Sequence, residues 1–343
     1  MEFSVILIEI AIFLLIFILT KKTNFFNDNK IKFKHKILVN KENTKFTGGI
    51  FIFISILFFF PGNTNNLILY SFLILSIGLL SDFNILSEPL PRFIIQLILL
   101  LSFIAITNTT ITSINIDIVD NFLKNKAFAI FFSLFCFMVL INGTNFLDGL
   151  NTLVSGYYFL VSIIIYYLGE NLNLVMYSEI FLFLSIVLLI FLLFNFFGKS
   201  ILGDSGSYTL SFLFGFLLID FFNNNRSISP YFVALILWYP AFENLFSILR
   251  RIFISRKKIS SPDTLHLHQL IYLFLSKYFY KKSKYNNTKT GLIILFYNLI
   301  VFIFVIKFKL YYDTKTLASL ILFNIVVYLA LYYKLNKLIF KKK

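Results

Sequence analysis

Residues 127–153 read AFAIFFSLFCFMVLINGTNFLDGLNTL. From 127 to 141 the only polar side chain is Ser133. Such a run has no side chains with which to satisfy a non-helical backbone, and in hydrocarbon every N–H and C=O must be paired internally. The reading is therefore a membrane-crossing helix. From 142 onward the character reverses: Asn142, Asn145, Asp148 and Asn151 recur every third residue around Gly143 and Gly149. A helical span that ends in amides and a carboxylate is a span that delivers chemistry to the membrane boundary.

The same apolar pattern repeats in both directions. Runs of about 15–20 residues, enough to cross ~30 Å of hydrocarbon as helix, are predicted at 3–20, 48–60, 67–81, 93–109, 127–141, 152–168, 179–197, 207–220, 230–249, 290–306 and 316–333. The weakest are 48–60 and 207–220, which are short. Across 343 residues, 59% are hydrophobic, 14% are charged and Phe occurs 47 times. A soluble fold has too little interior for that much apolar surface. The fold class expected is all-α: one polytopic membrane domain over 1–343, with ten or eleven spans and no soluble domain to cut out. Residues 3–20 are too long for a signal-peptide core and lack a basic leader, so they read as a first span. Cys136, alone in an apolar run, leaves no internal disulfide.

A net charge of +15 on such a chain needs an explanation. With eleven spans the loops fall into two sets, and 25 of the 31 Lys and Arg residues belong to one of them. By the positive-inside rule that set is cytoplasmic, with the N-terminus outside and the C-terminus inside. Topology and anionic membrane lipids then account for the charge, and no nucleic-acid partner is required.

Four loops on that face carry polar clusters beside glycine: FTGGI (46–50), GLLSDFN (78–84), INGTNFLDGLNTL (141–153) and LGDSGSYTL (202–210). Taken alone, the Gly48–Gly49 pair favours helix packing, and Asp82 a cap or a solvated surface. Asp204, between two glycines and ahead of Ser205 and Ser207, is the stronger signal. A helix N-terminus there can bind anions and its carboxylate a hard cation. A further basic loop holds SSPDTLHLHQLIY (260–272), with two of the three histidines, His266 and His268. Zinc is disfavoured, since no Cys lies near; hard oxygen donors favour Mg²⁺ or Mn²⁺. Residues 269–280 read as an interfacial helix. Glu9 is the clearest acid inside a span and reads as a group near the outer surface. Acids, amides, histidines and cations on one face suggest phosphoryl transfer at the membrane surface, where positioning and charge neutralisation supply most of the rate.

These motifs resemble, in order over about residues 35–272, those of the polyprenyl-phosphate N-acetylhexosamine-1-phosphate transferases. That superfamily includes the undecaprenyl-phosphate N-acetylglucosamine-1-phosphate transferases and phospho-N-acetylmuramoyl-pentapeptide transferase. NFLDGLNTL is similar to its N-x-x-D-G-x-x-G-L stretch, LGDSGS to G-D-x-G-S, and HLHQL to H-x-H-H; FTGGI fits an early Gly-Gly motif and GLLSDFN a D-D pair. The resemblance implies an Mg²⁺-dependent enzyme of the bacterial inner membrane, multi-pass, with its site facing the cytoplasm. It would move a sugar-1-phosphate from a UDP-N-acetylhexosamine to undecaprenyl or another polyprenyl phosphate, releasing UMP and initiating a cell-surface glycan such as O-antigen. A homodimer is compatible with it.

Carried over by residue, the resemblance implies that Asp82, Asp148 and Asp204 are catalytic, with Asp204 and Asp148 as metal ligands. Lys41, Asn145, Asn151, His266 and His268 would bind substrate. Three positions depart from the pattern: Ser81 replaces the first acid of the D-D pair, Asn151 and Thr152 replace a D-G, and Gln269 replaces the last His. Glu243 takes the place of an acid that many members carry in the ninth span. Two other readings stand beside the enzyme. A transporter or flippase would use the same basic face, but the spans hold little mid-membrane charge and no internal repeat. A catalytically inactive scaffold would suit the three departures.

Overall fold

The computed structural model describes residues 3–22, 45–59, 65–255, 265–279 and 285–340. Among them are fourteen α-helices and two short strands. In order these are α1 (Phe3–Lys22), β1 (Lys45–Phe46), α2 (Gly48–Phe59), α3 (Asn65–Asp82), α4 (Pro89–Thr107), α5 (Asp117–Leu123) and α6 (Lys126–Leu147). Then come α7 (Leu153–Asn171), α8 (Val175–Phe196), β2 (Ser200–Ile201), α9 (Gly203–Asn224), α10 (Pro230–Ile236) and α11 (Trp238–Leu249). A π-helical turn, Arg250–Ser255, leads on to α12 (Leu267–Tyr278), α13 (Asn286–Lys307) and α14 (Thr314–Phe340). The chain is an all-α polytopic membrane protein.

Each of the eleven predicted spans falls on a helix, but the helices are not equivalent. Eight are long and apolar enough to cross a membrane, or nine with α10 and α11 taken as one span bent by 73°. The other two, α1 and α2, are apolar but shorter (Ser4–Thr20 and Gly48–Phe59). The break between α10 and α11 has a covalent cause. Pro240 lies in the first turn of α11, and without an N–H it cannot bond the carbonyl four residues back, at Ile236, where α10 ends.

One helix is central. In α9, 89% of the 18-residue window is buried, against 22% in α4 and in α14. Its sequence explains this. Gly206, Ser207, Thr209, Ser211 and Gly215 let neighbours approach closely, as small residues do in membrane bundles, while Phe212, Leu213, Phe214 and Leu217 fill the space between. It packs on α2, α3 and α6. The segment 207–220, weak by length in the sequence, is thus the core of a full 22-residue helix.

Two details hold the start of α9 in place. β1 and β2 pair in parallel, Lys45 with Ser200 and Phe46 with Ile201, and the Thr47 and Ser200 hydroxyls hydrogen-bond. A Cβ on Gly49 would lie 2.6 Å from the Gly206 nitrogen, so α2 and α9 meet backbone to backbone. The Gly-Gly motif is a packing device. Glu9 is buried between α1 and α2, where it accepts a 2.6 Å hydrogen bond from Ser55 Oγ. Its partner lies 46 residues away, beyond what the local sequence reveals.

Candidate functional site

The site is built on the first turn of α9. Gly203 has φ +74°, a left-handed conformation that side chains resist, and this turns the chain sharply into the helix. The first free N–H groups of α9 meet the buried carboxylate of Asp82 at the end of α3. Asp82 Oδ1 accepts from the Asp204 N–H at 2.8 Å, and Oδ2 accepts from the Ser205 N–H at 3.0 Å and its hydroxyl at 2.7 Å. An acid from another helix therefore caps α9 and complements its dipole. The anion at this helix terminus is the protein's own.

Held this way, Asp204 projects into a polar cluster. Its Oδ1 accepts from Asn145 Nδ2 at 2.8 Å, and the same amide reaches Ser207 Oγ at 3.1 Å. Its Oδ2 accepts from Ser81 Oγ at 2.6 Å and from Arg92 Nη1 at 2.8 Å, the latter an ion pair. Arg92 and Ser81 also contact each other. The Arg92 and Asp204 side chains are 14% and 8% exposed, so water screens the pair only partly.

A second limb starts one residue after Asn145. The Phe146 ring lies 5.1 Å from His266 and stacks under the Arg251 guanidinium at 5.6 Å. The Glu243 carboxylate, buried on α11, accepts from His266 Nδ1 at 2.9 Å, which fixes the imidazole tautomer. His266 stands at the start of α12, where the Gln269 side chain accepts its backbone N–H. His268 stacks on His266 with ring centroids 5.6 Å apart and faces Gly149.

Burial pushes the His268 imidazole down to about 3, with Glu243 opposing the shift and His266 adding to it. Its native pKa lies below the unfolded value of 6.5, so between those values the unfolded chain binds a proton that the folded one does not. Stability therefore falls as pH drops through that window. From pH 7 to pH 5 this amounts to about 2 kcal/mol. Thermal unfolding in detergent at the two pH values checks it, and His268→Asn should remove that part of the slope; an unchanged slope would refute it.

The spacing of the four polar residues at 142–151 does not make one face, because α6 ends at Leu147. Asn142 Nδ2 bonds back to the Met138 carbonyl of its own helix. Asp148 caps α6, half-buried, with its N–H on the Asn145 carbonyl. Asn151 is buried, and its N–H is accepted by Asn287 Oδ1 of α13 at 2.6 Å. Thr152, at φ +68°, has its N–H held by Asn195 Oδ1 of α8. Lys41 lies outside the described residues. Asp82, Asp204 and Asn145 thus form one cluster with Ser81 and Arg92, and His266 and His268 form a second with Glu243, Phe146 and Arg251; Asn145 and Phe146 are adjacent in the chain. Arg92 joins the first and Phe146 and Arg251 the second without having been picked out in the sequence, and Asn287 holds the Asn151 N–H.

Among the described residues no group of three or more His, Cys, Asp and Glu side chains is placed to hold a metal ion. The donors at Asp204 nevertheless suit a hard dication. Mg²⁺ is commonly held by one or two carboxylates, with substrate phosphates and water completing its shell. Carboxylate and hydroxyl oxygens are present here in Asp204, Ser81 and Ser207.

A model of glycosyl transferase family 4 matches residues 64–222. The undecaprenyl-phosphate alpha-N-acetylglucosaminyl 1-phosphate transferase of Thermotoga maritima is 28% identical over 224 residues, covering 65% of this chain. The chain spans 66% of that relative, just under two thirds of its length. These matches bear out the resemblance to the superfamily. The family 4 stretch contains Asp82, Arg92, Asn145, Asp148 and Asp204, while Glu243, His266, His268 and the bracing Asn287 lie beyond it.

Proposed function

We propose that the protein is a polyprenyl-phosphate sugar-1-phosphate transferase acting at the cytoplasmic face of a bacterial inner membrane. Its donor is a UDP-sugar, an N-acetylhexosamine derivative, and its acceptor is undecaprenyl phosphate or a related lipid. An oxygen of the lipid phosphate attacks the sugar-bearing phosphorus of the donor, the bond between the two donor phosphates breaks, and UMP leaves. The product is a polyprenyl-diphospho-sugar, the first intermediate of a lipid-linked surface glycan. The observation that carries this reading is the Asp204 cluster. It is a buried carboxylate, guanidinium and amide assembled at the mouth of the central helix, inside the stretch that matches family 4.

Each residue has a part that follows from its contacts. Asp82 fixes the start of α9 and thereby the direction of the Asp204 carboxylate. Asn145 orients that carboxylate from α6. Arg92 and Arg251 supply fixed positive charge for a diphosphate, and planar guanidinium groups match phosphate oxygens in pairs. Phe146 and His266 form an aromatic wall, backed by the buried His268, beside which a sugar or nucleobase would lie, and Glu243 keeps His266 from rotating. Asp204, with Asp148, would hold Mg²⁺, which supplies neutralisation of the charge that builds on the diphosphate. No strong base is needed, because a phosphate monoester is largely ionised at neutral pH. Lys41 and Asn151 complete the proposed substrate contacts, Asn151 through the turn that α13 braces.

The test uses purified protein in detergent with undecaprenyl phosphate, Mg²⁺ and a panel of UDP-sugars. UMP and a lipid-linked sugar should appear together for at least one donor. Absence of both across the panel would overturn the assignment, and lipid scrambling without UMP would favour a flippase.

A further inference from the structure

We infer that Arg92 and the divalent cation of the proposed reaction compete for Asp204, so that the guanidinium sets how tightly the site takes metal. The inference rests on that reading for the identity of the cation alone. Both oxygens of the Asp204 carboxylate are already engaged, Oδ1 by Asn145 and Oδ2 by Ser81 and Arg92. A dication entering at Oδ2 meets a positive charge 2.8 Å from its ligand atom. Both cannot hold that oxygen at full strength, because the two cations repel at close range in a weakly screened setting.

Arg92 is suited to yielding. It sits in the first turn of α4, a peripheral helix, and its side chain retains 14% exposure on a flexible stem. Ser81 contributes a neutral hydroxyl where an acid would have offered the guanidinium a second anchor. The Arg92 Nε is buried and without a hydrogen-bond partner among the described residues, a donor that an incoming phosphate oxygen would satisfy. Metal at Asp204 and phosphate at Arg92 therefore favour each other. When the cation takes the carboxylate, the guanidinium is released toward the anion. Binding couplings of this kind are reciprocal.

Mn²⁺, titrated into the full chain in detergent without nucleotide and read by electron paramagnetic resonance, tests the competition. Arg92→Gln should bind Mn²⁺ at least about tenfold more tightly than the unaltered protein, the effect expected from removing a charge-assisted bond of this class. Adding Asp204→Asn to that variant should abolish the gain. A second measurement needs no substitution: an arginine-selective dicarbonyl reagent, followed by mass spectrometry, should label Arg92 faster at high Mn²⁺ than without it. Unchanged affinity in a folded Arg92→Gln overturns the inference. If that variant does not fold, unchanged Arg92 labelling overturns it instead. Normal UMP release with an unshifted Mn²⁺ affinity removes this inference alone. Shifted affinity without UMP release for any donor removes the proposed reaction and leaves the competition standing.

Discussion

Asp204→Asn should lower sugar-1-phosphate transfer about 10²–10³-fold, a loss typical of removing one preorganised electrostatic group, while the protein remains folded in detergent. The substitution keeps the shape of the side chain and deletes its charge. Asn145 would then face an amide that cannot accept at both ends, and Arg92 would lose its ion-pair partner on Oδ2. Initial rates of UMP release with an active donor, beside a thermal unfolding curve, are the measurement. Asp204→Ala should behave the same way, with additional loss of stability from the stranded guanidinium. A folded Asp204→Asn that kept more than about a tenth of the rate would exclude a central role for this carboxylate.

Asp82→Ala should destabilise the fold by about 2–4 kcal/mol, the scale of a lost helix cap combined with lost charge-assisted hydrogen bonds. Three donors would be stranded together: the Asp204 and Ser205 N–H groups and the Ser205 hydroxyl. They lie at the start of the most buried span, where water cannot readily replace the carboxylate. Asp82→Asn should fall between the two, because one of its ends still accepts. Activity in both variants should fall with the loss of Asp204 alignment. Unfolding in detergent read by tryptophan fluorescence is informative here, since the single Trp238 is buried and bonded to Asn298. A stability matching the unaltered protein would show that α9 does not depend on this cap.

How much of this was readable beforehand divides along one line. Apolar length marked each helix long enough to cross a membrane, since hydrocarbon leaves the backbone one way to pair. Glycine and acid spacing marked Asp204, since tight turns and helix ends have local signatures, while Asp82 and Asn145 stand out through the family resemblance. What stayed hidden was pairing across the bundle. Arg92 reaches Asp204 over 112 residues, His266 reaches Glu243 over 23, and Asn287 holds the Asn151 N–H over 136. No periodicity encodes such distances. The triplet spacing from Asn142 to Asn151 does not translate into one face, because α6 runs on to Leu147 and the four residues divide between its last turns and the loop beyond. The bend between α10 and α11 had its cause in plain view at Pro240, but its angle depends on what α11 packs against.

The burial of α9 also bears on how the protein meets bilayers of different thickness. A mismatch between hydrophobic length and membrane thickness is relieved by tilting or kinking the helices that touch lipid. Here that load falls on outer helices such as α4 and α14, while α9 and the Asp204 turn ride inside them. The turn that carries Asp204 rides with the buried α9, whereas Arg92, on the outer helix α4, ties that turn to the ring that meets the lipid.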